Sequence, residues 1–163
     1  MLVGVVSDTH NNIRNVKDII NIFNKENVEI VIHTGDISKP HTLELFSKLN
    51  CPLMGVFGNN DRTEKGLEEV CKKNGFDIKN PPYSISLQKK NIVIFHEPDA
   101  IHEYLEKNKE IDLILHGHTH RYREELIGNV LCFNPGECAG LVAGKNAIGI
   151  IDLNLLKIRR IFF

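Results

Sequence analysis

The run Ile111-Asp112-Leu113-Ile114-Leu115-His116-Gly117-His118-Thr119-His120 joins a short aliphatic stretch to three alternating histidines. A brief β-branched and aliphatic run bounded by glycine favours a buried strand over a helix. Side chains along a strand alternate faces, so His116, His118 and His120 share a side if the extended path continues. Gly117 favours a turn, so only His118 and His120 are expected to converge. Imidazole is the commonest protein ligand for borderline transition metals. A lone histidine here would read as an ordinary polar loop residue; the cluster reads as ligands.

Four other stretches repeat the plan of an apolar strand followed by ligand-type residues. They are Asp8-Thr9-His10, Gly35-Asp36, Gly58-Asn59-Asn60-Asp61, and His96 directly after Ile92-Val93-Ile94-Phe95. In α/β folds, sites form outside the carboxyl ends of strands, so these segments can meet in space. Taken singly, Asp8 reads as a helix cap, Asp36 and the asparagines as turn residues, and His96 as a satisfied strand-end histidine. All five at strand ends is the informative coincidence.

The chain between these segments alternates strand and helix in its first half. Residues 2–7, 28–33 and 53–57 read as strands. Ile13, Val16, Ile20 and Phe23 recur at helical spacing, which predicts a helix over 12–26 capped by Asn11 or Asn12. Pro40 opens a second helix with Leu43, Phe46 and Leu49 on its apolar face. Thr63 is expected to cap a third, carrying Leu67, Val70 and Cys71 and stopping at Gly75. The second half is richer in strands. Residues 83–87 and 92–95 suggest a hairpin turning at Lys89-Lys90-Asn91, and 98–107 a helix. Residues 113–115, 125–127, 130–133, 147–151 and 155–162 follow as strands. A βαβαβ half joined to a strand-rich half predicts an α/β fold of two mixed sheets packed face to face, with helices outside.

The 163 residues suit one domain with a real core, over 1–163, and 42% hydrophobic residues suit a globular protein. No apolar run reaches membrane-spanning length and no signal pattern opens the chain, so the expectation is a cytoplasmic protein without membrane contact. The net charge of −1, with no basic stripe, argues against tight nucleic-acid binding. It leaves a nucleotide or short diester open as substrate. Cys51, Cys71, Cys132 and Cys138 form no CxxC pair and read as buried reduced thiols.

Carboxylate, imidazole and amide oxygen without thiolate suit harder or borderline divalent ions such as Mn, Fe, Co, Ni or Zn. The five segments offer seven candidate ligands, too many for one tetrahedral zinc. They suit two ions sharing a carboxylate, roughly 3.5–4 Å apart, an arrangement that stabilises entering and leaving oxygens at phosphorus.

The ordered set Asp-x-His, Gly-Asp, Gly-Asn-x-Asp, a lone His and Gly-His-x-His resembles the calcineurin-like metallophosphoesterase superfamily. Residues 3–10 and 32–37, the short length and the Asn134-Pro135-Gly136 turn are similar to its small YfcE-like phosphodiesterase group. The resemblance covers nearly the whole chain. It implies a four-layer α/β/β/α sandwich of two mixed sheets flanked by helices. It implies that Asp8, His10 and His120 hold one metal and Asn59, His96 and His118 the other, with Asp36 bridging. It implies a phosphoric diester hydrolase using two divalent ions, manganese first among the candidates, with in-line attack by a bridging hydroxide. Asp36, Asn59, Asn60 and His96 then stand closest to the chemistry.

One departure matters. Most members of the family carry histidine where this chain has Asn60, beside the phosphate or leaving oxygen. An amide donates a hydrogen bond but supplies no proton near neutral pH. Asp61 keeps the acidic position with no imidazole to orient.

Four histidines remain. His33, His41 and His102 read as structural, and His116 lies beside the site. Arg14, Arg62, Arg121 and Arg123 are either phosphate contacts or solvated surface. Two other readings stay open: a partner-binding scaffold of the same fold, and a phosphomonoesterase or nucleotidase. The tail Ile161-Phe162-Phe163 either ends a core strand or docks another subunit in a homo-oligomer.

Overall fold

A computed structural model describes residues 1–163. The first half builds β1 (Leu2–Val6), α1 (Ile13–Lys25), β2 (Ile30–His33), α2 (Pro40–Leu45), β3 (Leu53–Val56), α3 (Leu67–Asn74) and β4 (Asp77–Lys79). The second builds β5 (Tyr83–Leu87), β6 (Lys90–Ile94), α4 (Ile101–Lys107), β7 (Leu113–Leu115), β8 (Arg123–Ile127), β9 (Val130–Asn134), β10 (Ala147–Asp152) and β11 (Lys157–Phe162). One sheet runs β11-β10-β1-β2-β3-β4, and the other β5-β6-β7-β9-β8. Both are mixed. β1, β2, β3 and β4 are parallel, as are β6, β7 and β9, and the remaining pairs are antiparallel. The two mixed sheets with outer helices agree with the sequence expectation.

Three apolar clusters make the layers. Val3, Val5, Ile30, Ile32 and Val56 of the first sheet meet Ile92, Ile94, Leu113, Leu115 and Phe133 of the second. The opposite face of the first sheet buries Val16, Ile19, Ile20 and Phe23 of α1 together with Leu43 and Leu67 of α2 and α3. α4 covers the outer face of the second sheet, with Ile101 against Val93, Ile114 and Cys132. Each fully buried side chain of this size contributes about 1.5–3 kcal/mol. The central cluster therefore clamps the sheets firmly enough to hold two sets of strand ends at one edge.

Local details depart from expectation where short-range signals are weak. Asn12 caps α1, its side chain accepting from Asn15 N at 3.1 Å, but Ile13 stays 39% exposed rather than joining the buried face. α2 gives way to a 3-10 turn at Phe46–Lys48. α3 is entered through Gly66 in the left-handed region, not capped by Thr63, and stops at Gly75 as expected. The β5–β6 turn falls on Gln88 and Lys89, both with positive φ, as a two-residue hairpin demands. Lys90 and Asn91 are strand residues opposite Leu87 and Ser86. The carboxylate of Asp112 holds them there, accepting from Lys90 Nζ at 3.1 Å and Asn91 N at 2.9 Å.

At the C-terminus Ile161, on the edge strand β11, and Phe163, just beyond it, pack partly buried against the core, while Phe162 is exposed. All four cysteines are free thiols, and burial pushes Cys71 and Cys132 up to about 11 and Cys138 up to about 12. No helix is long and apolar enough to cross a membrane.

Candidate metal centre

The five ligand-bearing segments leave the carboxyl ends of β1, β2, β3, β6 and β7, all parallel strands within their own sheets. Contacts across the sheets knit these ends together. His96 Nδ1 donates to Thr34 O at 2.8 Å, and His118 N donates to Asp8 Oδ1 and Oδ2 at 3.1 and 3.0 Å. The approach is close enough to require glycine. A Cβ on Gly58 would lie 2.1 Å from Asp36 Oδ1, and one on Gly117 would lie 1.9 Å from Ser7 Oγ.

The backbone is unusual at the same places. Eleven non-glycine residues have positive φ, and five of them are the candidate ligands Asp8, His10, Asp36, His118 and His120. Such conformations are uncommon and cluster where the surrounding structure imposes them for function.

The side chains form two groups. In the first, His10 Nε2 and His120 Nε2 are 3.1 Å apart, and Asp8 Oδ1 lies 4.0 and 3.8 Å from them. In the second, His96 Nε2 lies 2.9 Å from Asn59 Oδ1 and 3.4 Å from Asp36 Oδ1, and His118 Nδ1 lies 3.0 Å from Asn59 Oδ1. Asp36 faces both groups, with its Oδ2 3.5 Å from His10 Nε2. His118 and His120, adjacent in the sequence motif, thus divide between the two groups. Two donors bound side by side to one ion at 2.0–2.2 Å lie about 3–3.5 Å apart. Most of the spacings match that range, and the donors are all nitrogen and oxygen, so the residues fit divalent ions of the borderline or harder kind.

Electrostatics favour the same conclusion. Burial pushes the Asp8 carboxyl up, against the hydrogen bond from Ser7 Oγ at 2.5 Å and the pull of His96 and His120. Burial also pushes Asp36 up, but hydrogen bonds from His96 and Asn60 together outweigh it and hold the carboxyl below its usual range. His96 is pushed down by burial and lifted further by Asp36, for a net rise. Two buried carboxylates and four converging imidazoles make a site to which positive charge is drawn.

The supporting residues differ from expectation. Asp61 is 4% exposed and both its oxygens are committed to backbone amides. Its Oδ2 accepts from Asp36 N at 2.9 Å, Ile37 N at 3.2 Å and Gly58 N at 2.8 Å, and its Oδ1 from Ser38 N at 2.7 Å. It is therefore not a carboxylate waiting for an imidazole, but the group that fixes the loop carrying Asp36. Asn60 turns to the carboxylate of Asp36. Its N donates to Asp36 Oδ1 at 2.9 Å and its Nδ2 to Oδ2 at 2.7 Å.

His33 and His116 lie outside both groups, and burial pushes them down to about 3 and about 4, so each is a neutral ring near pH 7. His41 and His102 sit exposed on α2 and α4. Arg62 pairs with Glu97 and Arg123 with Glu125, while Arg14 and Arg121 are exposed. Two residues at the site were not anticipated. Asn134 Nδ2 donates to Gly117 O at 3.0 Å, bracing the histidine loop. Glu137 Oε2 accepts from His120 Nδ1 at 3.0 Å. The available signal was the one used elsewhere: polar residues at the end of a strand or just past it, here β9.

Comparison with known proteins gives the same picture. Residues 1–155 match the family described as the calcineurin-like phosphoesterase superfamily domain. The chain is 36% identical over 163 residues to phosphodiesterase MJ0936 of Methanocaldococcus jannaschii, spanning 99% of this chain and 98% of that protein. A solved archaeal phosphodiesterase superposes with a TM-score of 0.91 at 33% identity, covering 100% of each chain. YfcE, a phosphoesterase from E. coli, shares the fold with a TM-score of 0.69 at 18% identity, covering 99% of this chain and 98% of its own. With the strand-end motifs, the two mixed sheets and a family match across nearly all its length, the chain belongs to the calcineurin-like phosphoesterase superfamily.

Proposed function

We propose that the chain hydrolyses phosphodiesters with two divalent ions. Asp8, His10 and His120 would hold one, and Asn59, His96 and His118 the other, with Asp36 shared. The observation that carries this reading is the Asp36 carboxylate, with one oxygen 3.4 Å from His96 Nε2 and the other 3.5 Å from His10 Nε2. The diester preference is supported by the descriptions of the curated relative and of the solved structure matched over full length, each a phosphodiesterase. Manganese is the first candidate metal because the donors are hard to borderline.

Bound there, such ions supply positive charge for phosphate oxygens and bring the pKa of water toward neutrality. The chain's own residues do the rest. Asp8, Asp36 and His96 form a buried floor, while His10 and His120 are partly exposed and His118 is open to solvent, so a substrate phosphate enters over the imidazole rim. Asp8 and Asp36 place negative charge on the floor, which orients cations rather than phosphate. Asn60 is exposed at the rim, and its amide donates to Asp36 or to an oxygen of the substrate, but carries no transferable proton.

The test is direct. Protein stripped of metal and reloaded with manganese is expected to hold two ions per chain by elemental analysis. It should hydrolyse bis-nitrophenyl phosphate faster than the nitrophenyl monoester. A plateau at one ion, unchanged in His96→Ala, would remove the two-ion reading, and a preference for the monoester would remove the diester one.

Asn60 carries a second expectation. Acid assistance at a leaving oxygen is typically worth about 10²–10⁴-fold, most for an alkoxide and least for a nitrophenolate. The native protein should therefore show a steep fall in rate as leaving-group pKa rises. Asn60→His should flatten that slope, with a gain on alkyl esters near the low end of this range, because Asp61 is already committed and cannot orient the ring. Equal slopes in the two proteins, at equal metal content, would show that the missing acid does not limit the reaction.

A further inference from the structure

We infer that Glu137 is a positioning residue, holding His120 in the tautomer whose Nε2 lone pair faces Asp8 and His10 and tying that ring to the loop after β9. The inference rests on the metal reading above.

Glu137 is 4% exposed, and its carboxylate has two donors, one per oxygen. Oε2 faces His120 Nδ1 at 3.0 Å, and Oε1 accepts from Leu141 N at 2.5 Å. Its own backbone is pinned as well, Glu137 O accepting from Ala147 N at 2.7 Å. A carboxylate only accepts, so the imidazole must carry its proton on Nδ1. Nε2 is then left as the free lone pair, and it is the nitrogen that points at His10 and Asp8. The buried ring of His96 is held differently, its Nδ1 donating to the neutral carbonyl of Thr34. A charged acceptor behind a ligand imidazole fixes its orientation and makes it a stronger donor, typically changing metal affinity by about 10–100-fold.

Glutamate is also the residue this geometry requires. Glutamine has the same length but one acceptor and one donor group. If its oxygen stays with the ring, its NH₂ meets the Leu141 N–H, donor against donor. If it turns over, the NH₂ donates to Nδ1 and forces the proton onto Nε2, where it blocks the lone pair. Glutamine therefore forfeits either the Leu141 contact or the Nε2 lone pair that faces Asp8 and His10. The loop so anchored carries Leu141 and Val142, 72% and 52% exposed, so the same carboxylate connects one half of the site to an apolar stretch of surface.

Two measurements test the assignment. Stepwise titration of metal-free protein with cobalt, followed by calorimetry and by visible absorption of the bound ion, reads the two sites separately. Glu137→Gln is expected to weaken one binding step by about 10–100-fold and leave the other unchanged. Long-range proton–nitrogen NMR of the native metal-free protein is expected to show the Nδ1–H tautomer at His120. Native protein that fills both sites, with a variant that fills them equally well, would overturn the assignment and leave the functional reading standing. Equal weakening of both steps would also overturn it, since the contact serves one ring. Native protein that binds no cobalt would overturn the functional reading and this assignment with it. Should Glu137→Gln not fold, the native tautomer decides: an Nε2–H ring at His120 overturns the proposal.

Discussion

Asp36→Asn is expected to lose turnover by orders of magnitude and to weaken both ions together, while the fold survives. The carboxylate is 2% exposed and stands between the two donor groups. Asparagine keeps its shape but removes one negative charge and turns one acceptor into a donor. That donor must face either the backbone N–H of Asn60 or its side-chain NH₂, since each now donates to one oxygen of Asp36. The loss should exceed the roughly 10–100-fold effect of removing a residue that merely supports one ligand. It should also exceed the loss from His10→Ala or His118→Ala, each of which touches one group. The backbone N of Asp36 remains bonded to Asp61, and the exposed side chain of Asn60 is free to turn its NH₂ to solvent, so the melting temperature of metal-free protein should shift little. Elemental analysis and kinetics on the same preparation decide it. Turnover at the native level, or one ion retained at native affinity, would show that Asp36 is not shared.

Much of this site was legible because its candidate ligands obey a rule of position. Asp8, Asp36, Asn59, His96 and the pair His118 and His120 each come after an apolar run, and a parallel strand delivers the residues at its carboxyl end to one edge of the sheet. β2 and β7 are buried throughout, which is why they read as near-continuous aliphatic stretches. In space the candidates fall into two groups, Asp8 with His10 and His120, and Asp36 with His96 and His118. The features that the sequence hid have a different physical character. β4 is three residues with a single buried side chain, so nothing in its pattern distinguishes it from a loop. The hairpin turn uses Gln88 and Lys89, which carry none of the glycine or asparagine that usually marks positive φ. Glu137 and Asn134 serve through hydrogen bonds to residues far along the chain, and no spacing encodes such a partnership. Asp61 was visible as an acidic position, but not in its role. A carboxylate next to a catalytic-looking residue suggests charge for a side chain, whereas here it is spent on four backbone amides.

Asp61→Ala is therefore expected to act on stability first and on chemistry through it. The carboxylate gathers the amides of Asp36, Ile37 and Ser38 from the loop after β2, and that of Gly58 from the loop after β3. Asp36 and Ser38 both hold positive φ, at 59° and 76°, and these conformations persist only while something overdetermines them. A buried donor left without an acceptor costs about 1–3 kcal/mol, and more where the lost acceptor was charged. Removing all four contacts, with water entering to satisfy some of the amides, should lower the unfolding free energy of metal-free protein by about 3–5 kcal/mol. Asp61→Asn keeps one oxygen and should lose about 1–3 kcal/mol, because its NH₂ must confront at least one amide donor. Once the loop relaxes, Asp36 no longer sits between the two groups, so binding of both ions and turnover fall together even where the variant is folded. Urea titration of metal-free protein measures the first effect, and metal titration at a temperature well below the transition measures the second. The opposite pattern, native stability and native metal binding with turnover alone reduced, would mean that Asp61 acts on the substrate or on a neighbouring ring. The four amide contacts would then be incidental to its role.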